Sequence, residues 1–138
     1  MDRILSITVP RCVACGKCEL ACAFTHGRDG VPGTPRIRIV RTGPERGIPL
    51  TCFQCHDAAC VAVCPVAALS RDASTGAIAV LAERCIGCGM CVAACPFGNM
   101  VRDEPAPRVA KCDLCGGAPR CVPFCATRAL EYLPAPGC

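Results

Sequence analysis

Sixteen of the chain's 17 cysteines fall into four blocks of four, and that spacing restricts the possible folds more than any other feature. The first block, Cys12, Cys15, Cys18 and Cys22, reads C-x2-C-x2-C-x3-C. The second is Cys52, Cys55, Cys60 and Cys64, with four residues between its middle cysteines and Pro65 after it. The third, Cys85, Cys88, Cys91 and Cys95, repeats the first spacing and precedes Pro96. The fourth is Cys112, Cys115, Cys121 and Cys125, with a five-residue middle gap. Only 35 of the 138 residues are Val, Ile, Leu, Met, Phe or Tyr. A chain so poor in large apolar side chains needs staples of another kind, and the cysteines are the candidates.

Disulfide scaffolds belong to secreted chains, which begin with an apolar signal region. This chain opens Met-Asp-Arg-Ile-Leu-Ser and reaches Cys12 without one. Its uncharged stretch Ala58–Ser70 is shorter than the roughly 20 residues that span a bilayer. A cytoplasmic protein with no membrane anchor is the expectation. Structural zinc uses C-x2-C pairs on longer spacers, and four cysteines between Cys12 and Cys22 leave little chain to wrap a tetrahedral ion. Cys52-Phe-Gln-Cys-His56 also matches the haem-attachment pattern, although its cysteines open a complete block. The run C-x2-C-x2-C-x3-C-P is the pattern of bacterial ferredoxins, whose fourth cysteine ligates the other cluster of a pair. Three cysteines at intervals of three can hold three corners of one Fe4S4 cube. The fourth is expected to begin a helical turn that points away, and the proline has no N–H to compete for sulfur.

These residues, with the strings Cys15-Gly-Lys-Cys-Glu-Leu-Ala-Cys22, Cys60-Val-Ala-Val-Cys-Pro-Val-Ala-Ala-Leu69 and Lys111-Cys-Asp-Leu-Cys115, resemble the four-cluster electron-transfer subunits of molybdenum and tungsten oxidoreductases. Dimethyl sulfoxide reductase, formate dehydrogenase and nitrate reductase have such subunits, and short soluble relatives serve carbon monoxide dehydrogenase, hydrogenase and tungsten aldehyde oxidoreductase. The resemblance implies four [4Fe–4S] clusters, with the first block paired to the fourth and the second to the third. It implies Cys12, Cys15, Cys18 and Cys125 for one cluster, and Cys22, Cys112, Cys115 and Cys121 for its neighbour. The inner pair would be Cys52, Cys55, Cys60 and Cys95, then Cys64, Cys85, Cys88 and Cys91. It further implies a non-catalytic wire between a large catalytic subunit, first of the tungsten or molybdenum aldehyde-oxidoreductase type, and another redox protein. A free-standing polyferredoxin carrier, or the wire of a carbon monoxide dehydrogenase or hydrogenase, is the alternative. Two departures stand out: alanine follows Cys22 and Cys125 where the ferredoxin pattern has proline, and the middle gap of the fourth block is short.

The remaining chain reads as α+β, with two ferredoxin-like halves, short hairpins and single-turn helices around four clusters. One domain, 1–138, is expected, with an outer half of 1–36 plus 100–138 and an inner half of 37–99. Ile37–Arg41 returning through Ile48–Leu50, and Ala68–Arg71 returning through Ala77–Leu81, are hairpin candidates. Ile4–Val9 and Ala129–Leu133 are strands that could pair with each other. Single helical turns are expected after Cys22, Cys64, Cys95 and Cys125, and loops at Pro32–Pro35, Pro105, Pro107 and Pro119. The formal charge of +4 counts cysteine as neutral. Each oxidised cluster with four thiolates carries 2−, so four clusters bring the loaded chain to about 4−. That charge, with four phenylalanines, one tyrosine and no tryptophan for base stacking, disfavours nucleic acid as a partner. Arg11, Arg84 and Lys111 each precede the first cysteine of a block. They read as solvated side chains or as cations that favour the reduced cluster. His26 and His56 read as satisfied or exposed rather than as ligands, and Cys138 as a spare thiol.

Overall fold

Short apolar runs interrupted by cysteine loops can make only short strands, and the chain pairs these two by two. The computed structural model describes residues 3–104 and 106–136, so Cys138 and Pro105 lie outside the described residues. Strand β1 (Arg3–Ile7) pairs antiparallel with β8 (Leu130–Pro134), Ile7 opposite Leu130 and Arg3 opposite Pro134, which brings the two ends of the chain together. Arg3 stacks over the Tyr132 ring at 4.4 Å and donates to its carbonyl oxygen at 2.6 Å. Strands β2 (Arg38–Gly43) and β3 (Arg46–Leu50) form one hairpin, and β4 (Leu69–Arg71) and β5 (Ile78–Val80) a second. The expected pairing of the ends and both expected hairpins are therefore present. A fourth pair, β6 (Val101–Arg102) with β7 (Val109–Ala110), is only two residues a side and had no readable period. β1 also stops short of Val9, because Pro10 belongs to a 3-10 turn over Val9–Arg11.

The helices are α1 (Lys17–Thr25), α2 (Ala59–Ala62) and α3 (Met90–Ala94), with further 3-10 turns over Leu114–Gly117 and Val122–Phe124. Their position corrects the expectation. They carry the chain up to, or through, the fourth cysteine of each block rather than starting after it. Each begins at or one residue before the third cysteine. The fourth then falls four residues on, one helical turn and about 6 Å further along the axis. Among the described residues the architecture is α+β, four two-stranded sheets and short helices, consistent with a ferredoxin-like fold. Among the described residues no helix is long and apolar enough to cross a membrane.

Cysteines make up much of the interior. One buried group joins Cys12, Cys18, Cys22 and Cys121 with Ile37, Ile39, Ala129 and Leu130. The other joins Cys91 with Leu69, Ile78, Met100 and Val109, and Cys60, Cys64, Cys85 and Cys95 pack against it. Glu19 ties α1 to β2 by accepting from the Ile39 amide at 2.7 Å and pairing with Arg41 at 3.4 Å.

Candidate metal centres

Within each block the residue before the second cysteine has a left-handed backbone: Ala14 (φ 57°), Gln54 (φ 51°), Gly87 (φ 70°) and Leu114 (φ 58°). Only one of the four is glycine. A turn of this hand curls the C-x2-C run, and consecutive N–H groups in such turns line concavities that favour anions. Gly16 (φ 78°) and Gly89 (φ 76°) then open α1 and α3, so the third cysteine follows directly in the helix.

The four blocks converge across the chain. One cavity is lined by Cys12, Cys15, Cys18 and Cys125, and a second by Cys22, Cys112, Cys115 and Cys121. A third is lined by Cys52, Cys55, Cys60 and Cys95, and a fourth by Cys64, Cys85, Cys88 and Cys91. Their free volumes, open mouths included, are about 300, 330, 380 and 290 Å³. Four spaces of like size, each walled by four thiols, suit four copies of one group. In every case three thiols come from one block and one from another. The sixteen described cysteines are all unbonded to each other.

The electrostatics suit a cationic guest ligated by sulfur. Burial pushes the Cys18 thiol up to about 11 and the Cys121 thiol up to about 12, and raises Cys22, Cys60, Cys91 and Cys112 as well. Packed thiols of this kind ionise only when a counter-charge arrives, and iron supplies one. Cys64 goes the other way. Desolvation pushes it up, but backbone N–H groups of residues 66–69 together bring it below its ordinary value. Backbone amides already face the fourth cysteines: Arg36 N–H donates to Cys22 Sγ and Ala68 N–H to Cys64 Sγ, both at 3.2 Å. The Asn99 amide reaches Cys95 Sγ at 3.5 Å. Such donors stabilise an electron-rich sulfur and raise a cluster's reduction potential. Arg36 lines the Cys22 cavity, and its Nε is buried with no acceptor among the described residues, a donor that an anionic cluster would satisfy. The thiol sets therefore fit [4Fe–4S] clusters.

The charged and polar residues singled out in the sequence divide between surface and cavity. Lys111 is 2% exposed, not solvated, whereas Arg84 is exposed and Arg11 sits at the surface 3.9 Å from Glu131. His26 lines the Cys22 cavity, and its ligand nitrogen, an Asp113 oxygen and Cys115 Sγ lie within 4.8 Å of one another. Burial, then Arg36, lowers the His26 pKa. His56 is exposed, on the rim of a separate groove beside β1 and Arg71. Gln54 had no signal at all in the sequence, yet its side chain joins two blocks. Its Nε2 donates to the Cys112 carbonyl at 2.7 Å, and its Oε1 accepts from the Ile78 amide at 2.8 Å.

Thiol-walled cavities of this kind, on a scaffold of short strands and single-turn helices, define an iron–sulfur protein of the electron-transfer class. Residues 46–133 match the family described as the 4Fe-4S dicluster domain, and residues 10–25 match a 4Fe-4S binding domain. The chain belongs to the 4Fe-4S dicluster family, and its cofactors are [4Fe–4S] clusters, of which sixteen cysteines fit about four. It is 46% identical over 121 residues to the polyferredoxin-like subunit of an aliphatic sulfonate oxidoreductase from Pyrococcus furiosus, covering 86% of this chain and 69% of that one. It is 36% identical over 155 residues to the electron transport protein HydN of Escherichia coli, covering 94% and 87%. The beta subunit of the NADH-dependent phenylglyoxylate dehydrogenase of Aromatoleum evansii is 38% identical over 128 residues. That match takes in 89% of this chain but only 28% of the longer protein. Two of these relatives are named as an oxidoreductase's polyferredoxin-like subunit and as an electron transport protein, and this chain is a non-catalytic electron-transfer protein of the same kind.

Proposed function

We propose that the chain is a wire of four [4Fe–4S] clusters between a catalytic oxidoreductase subunit and a second redox protein. Cys12, Cys15, Cys18 and Cys125 hold one cluster, and Cys22, Cys112, Cys115 and Cys121 its neighbour. Cys52, Cys55, Cys60 and Cys95 hold the third, and Cys64, Cys85, Cys88 and Cys91 the fourth. The observation that carries this is the cross-block grouping: three thiols of one block and one thiol of another around each of four cavities. Each bound cluster accepts and returns one electron. The chain's part is to supply thiolates, aim backbone N–H groups at sulfur, and keep the sites one helical turn apart. The pairing divides the protein into an outer half, 1–36 with 100–138, and an inner half, 37–99. Hairpins cross between them, since Ile39 packs among the outer cysteines and Val109 among the inner ones.

The catalytic partner on this reading is a molybdenum or tungsten enzyme, first of the aldehyde-oxidoreductase type, in a hetero-oligomer. The likeness to the subunit from Pyrococcus furiosus supports an oxidoreductase partner. Sixteen unbonded cysteines accord with a reducing, cytoplasmic setting. A free-standing carrier is the second reading, favoured by the likeness to HydN over 87% of that protein's length. Iron and sulfide analysis of anaerobically purified protein tests the wire itself. About 16 iron atoms per chain are expected, and about four fewer in Cys125→Ala. Far fewer than 16 in the unmodified protein would overturn the reading. Co-purification with a larger subunit, against elution as a lone monomer, separates wire from carrier.

A further inference from the structure

Lys111 is a buried cation with no carboxylate. Its side chain is among the most completely enclosed in the protein. The amine donates to three neutral oxygens: Gln54 Oε1 at 3.0 Å, the Cys112 carbonyl at 2.7 Å and the Ile78 carbonyl. Every ion pair among the described residues belongs to an arginine, and none involves Lys111. An isolated ammonium taken out of water is expensive unless a negative charge compensates it. The negative charge within reach is sulfur. Lys111 lines the cavity of Cys52, Cys55, Cys60 and Cys95, and it directly precedes Cys112 of the neighbouring cavity.

We infer that Lys111 is the built-in counter-cation of the cluster at Cys52, Cys55, Cys60 and Cys95, and raises its reduction potential above those of the other sites. The inference rests on the ligand sets proposed above. Adding one electron takes that site from 2− to 3−, with no proton moved, and a fixed positive charge in a low-dielectric interior favours the more negative state. The other cations are weaker by position. Arg36, beside the Cys22 cavity, shares its charge with Asp113 at 3.7 Å. Arg84 and Arg11 are exposed, where water and salt screen them. Gln54 is the positioning residue. It sits between Cys52 and Cys55 and anchors to the Cys112 carbonyl, and its Oε1 accepts from the lysine. The pair lies between an inner and an outer cavity, so it stabilises an electron at the junction between the two halves.

The test is an anaerobic potentiometric titration followed by EPR on the cluster-loaded protein, Lys111→Met, Lys111→Arg and Gln54→Glu. In Lys111→Met the highest-potential couple should become at least tenfold harder to reduce at a fixed potential, about 59 mV for one electron, with the remaining couples moving less. Gln54→Glu, which places a carboxylate against the amine, should shift the same couple in the same direction, and Lys111→Arg should hold it near the unmodified value. If Lys111→Met fails to load, Gln54→Glu decides. A loaded Lys111→Met or Gln54→Glu protein with every couple unmoved overturns the inference. An iron count in the unmodified protein well below 16 per chain overturns the ligand sets instead, so the two failures are distinguishable.

Discussion

Replacing Gly87 by alanine should loosen one cysteine loop through a collision that no rotamer relieves. Gly87 lies between Ile86 and Cys88 with φ +70°, and a Cβ there falls 3.0 Å from the Pro107 carbonyl carbon and closer still to its oxygen. The obstacle is backbone, held in a loop that Asp103 and Arg108 close by an ion pair at 3.2 Å and a hydrogen bond from the Asp103 N–H to the Arg108 carbonyl at 3.0 Å. A left-handed alanine costs about 1–2 kcal/mol, and forcing a packed backbone apart about 1–3 kcal/mol more. Gly89, two residues on, is the control. Its φ is +76°, but the atoms a Cβ meets are the guanidinium end of Arg102, which can swing away. The two variants share the conformational cost and differ in the steric one. A difference of about 1–3 kcal/mol corresponds to about 5- to 150-fold in local opening. The assay is anaerobic iron release to a colorimetric chelator, compared with the unmodified protein. Gly87→Ala should lose iron faster than Gly89→Ala by that factor. Equal rates, or the reverse order, would refute the steric reasoning.

Three further outcomes are expected. Removing Asn99, whose side-chain amide donates to the buried Thr51 carbonyl at 2.7 Å, leaves that oxygen unpaired. Asn99→Ala should cost about 1–3 kcal/mol, read as a lower temperature of cluster bleaching. Phe53 and Phe97 meet edge to face at 4.8 Å on the rim of the Cys52 cavity, a contact worth about 0.5–1.5 kcal/mol. Phe97→Ala should speed oxygen bleaching of that cluster, and an unchanged rate would mean the ring is no shield. In the iron-free chain, Cys18 and Cys121 keep their protons up to about pH 11 and 12, above the 9.0 of an unburied thiol. The folded iron-free form therefore binds more protons than the unfolded form in that window. Its stability is full below about pH 9 and falls as pH rises through the folded values. Circular dichroism across pH 8–12 checks the sign, and a gain of stability with rising pH would contradict it.

Much of the scaffold was legible because its signals are local. The short runs Ile37–Arg41 and Ile48–Leu50 led to the β2–β3 hairpin, Ala68–Arg71 and Ala77–Leu81 to β4–β5, and Ile4–Val9 with Ala129–Leu133 to the β1–β8 pair. The helices were placed one turn late, because the spacing C-x3-C does not say whether its three residues enter a helix or leave one. Of the left-handed residues before each block's second cysteine, only Gly87 was announced by glycine. Ala14, Gln54 and Leu114 adopt the same backbone because the loop around the thiols requires it, against their own preference. The β6–β7 pair is too short for any period to show.

The identity of the cofactor follows from the sequence alone, since ligand reach along a chain is a short-range property and four cysteine quartets leave few other guests. Which blocks face one cavity is a matter of tertiary structure. So are the burial of Lys111 without a carboxylate, the bond from Gln54, inside the second block, to Cys112 of the fourth, and the placing of His26 beside Cys115. Burial and field depend on atoms distant along the chain, and spacing carries no record of them. A lysine before C-x2-C looks the same in sequence whether it points into water or lines a thiol-walled cavity.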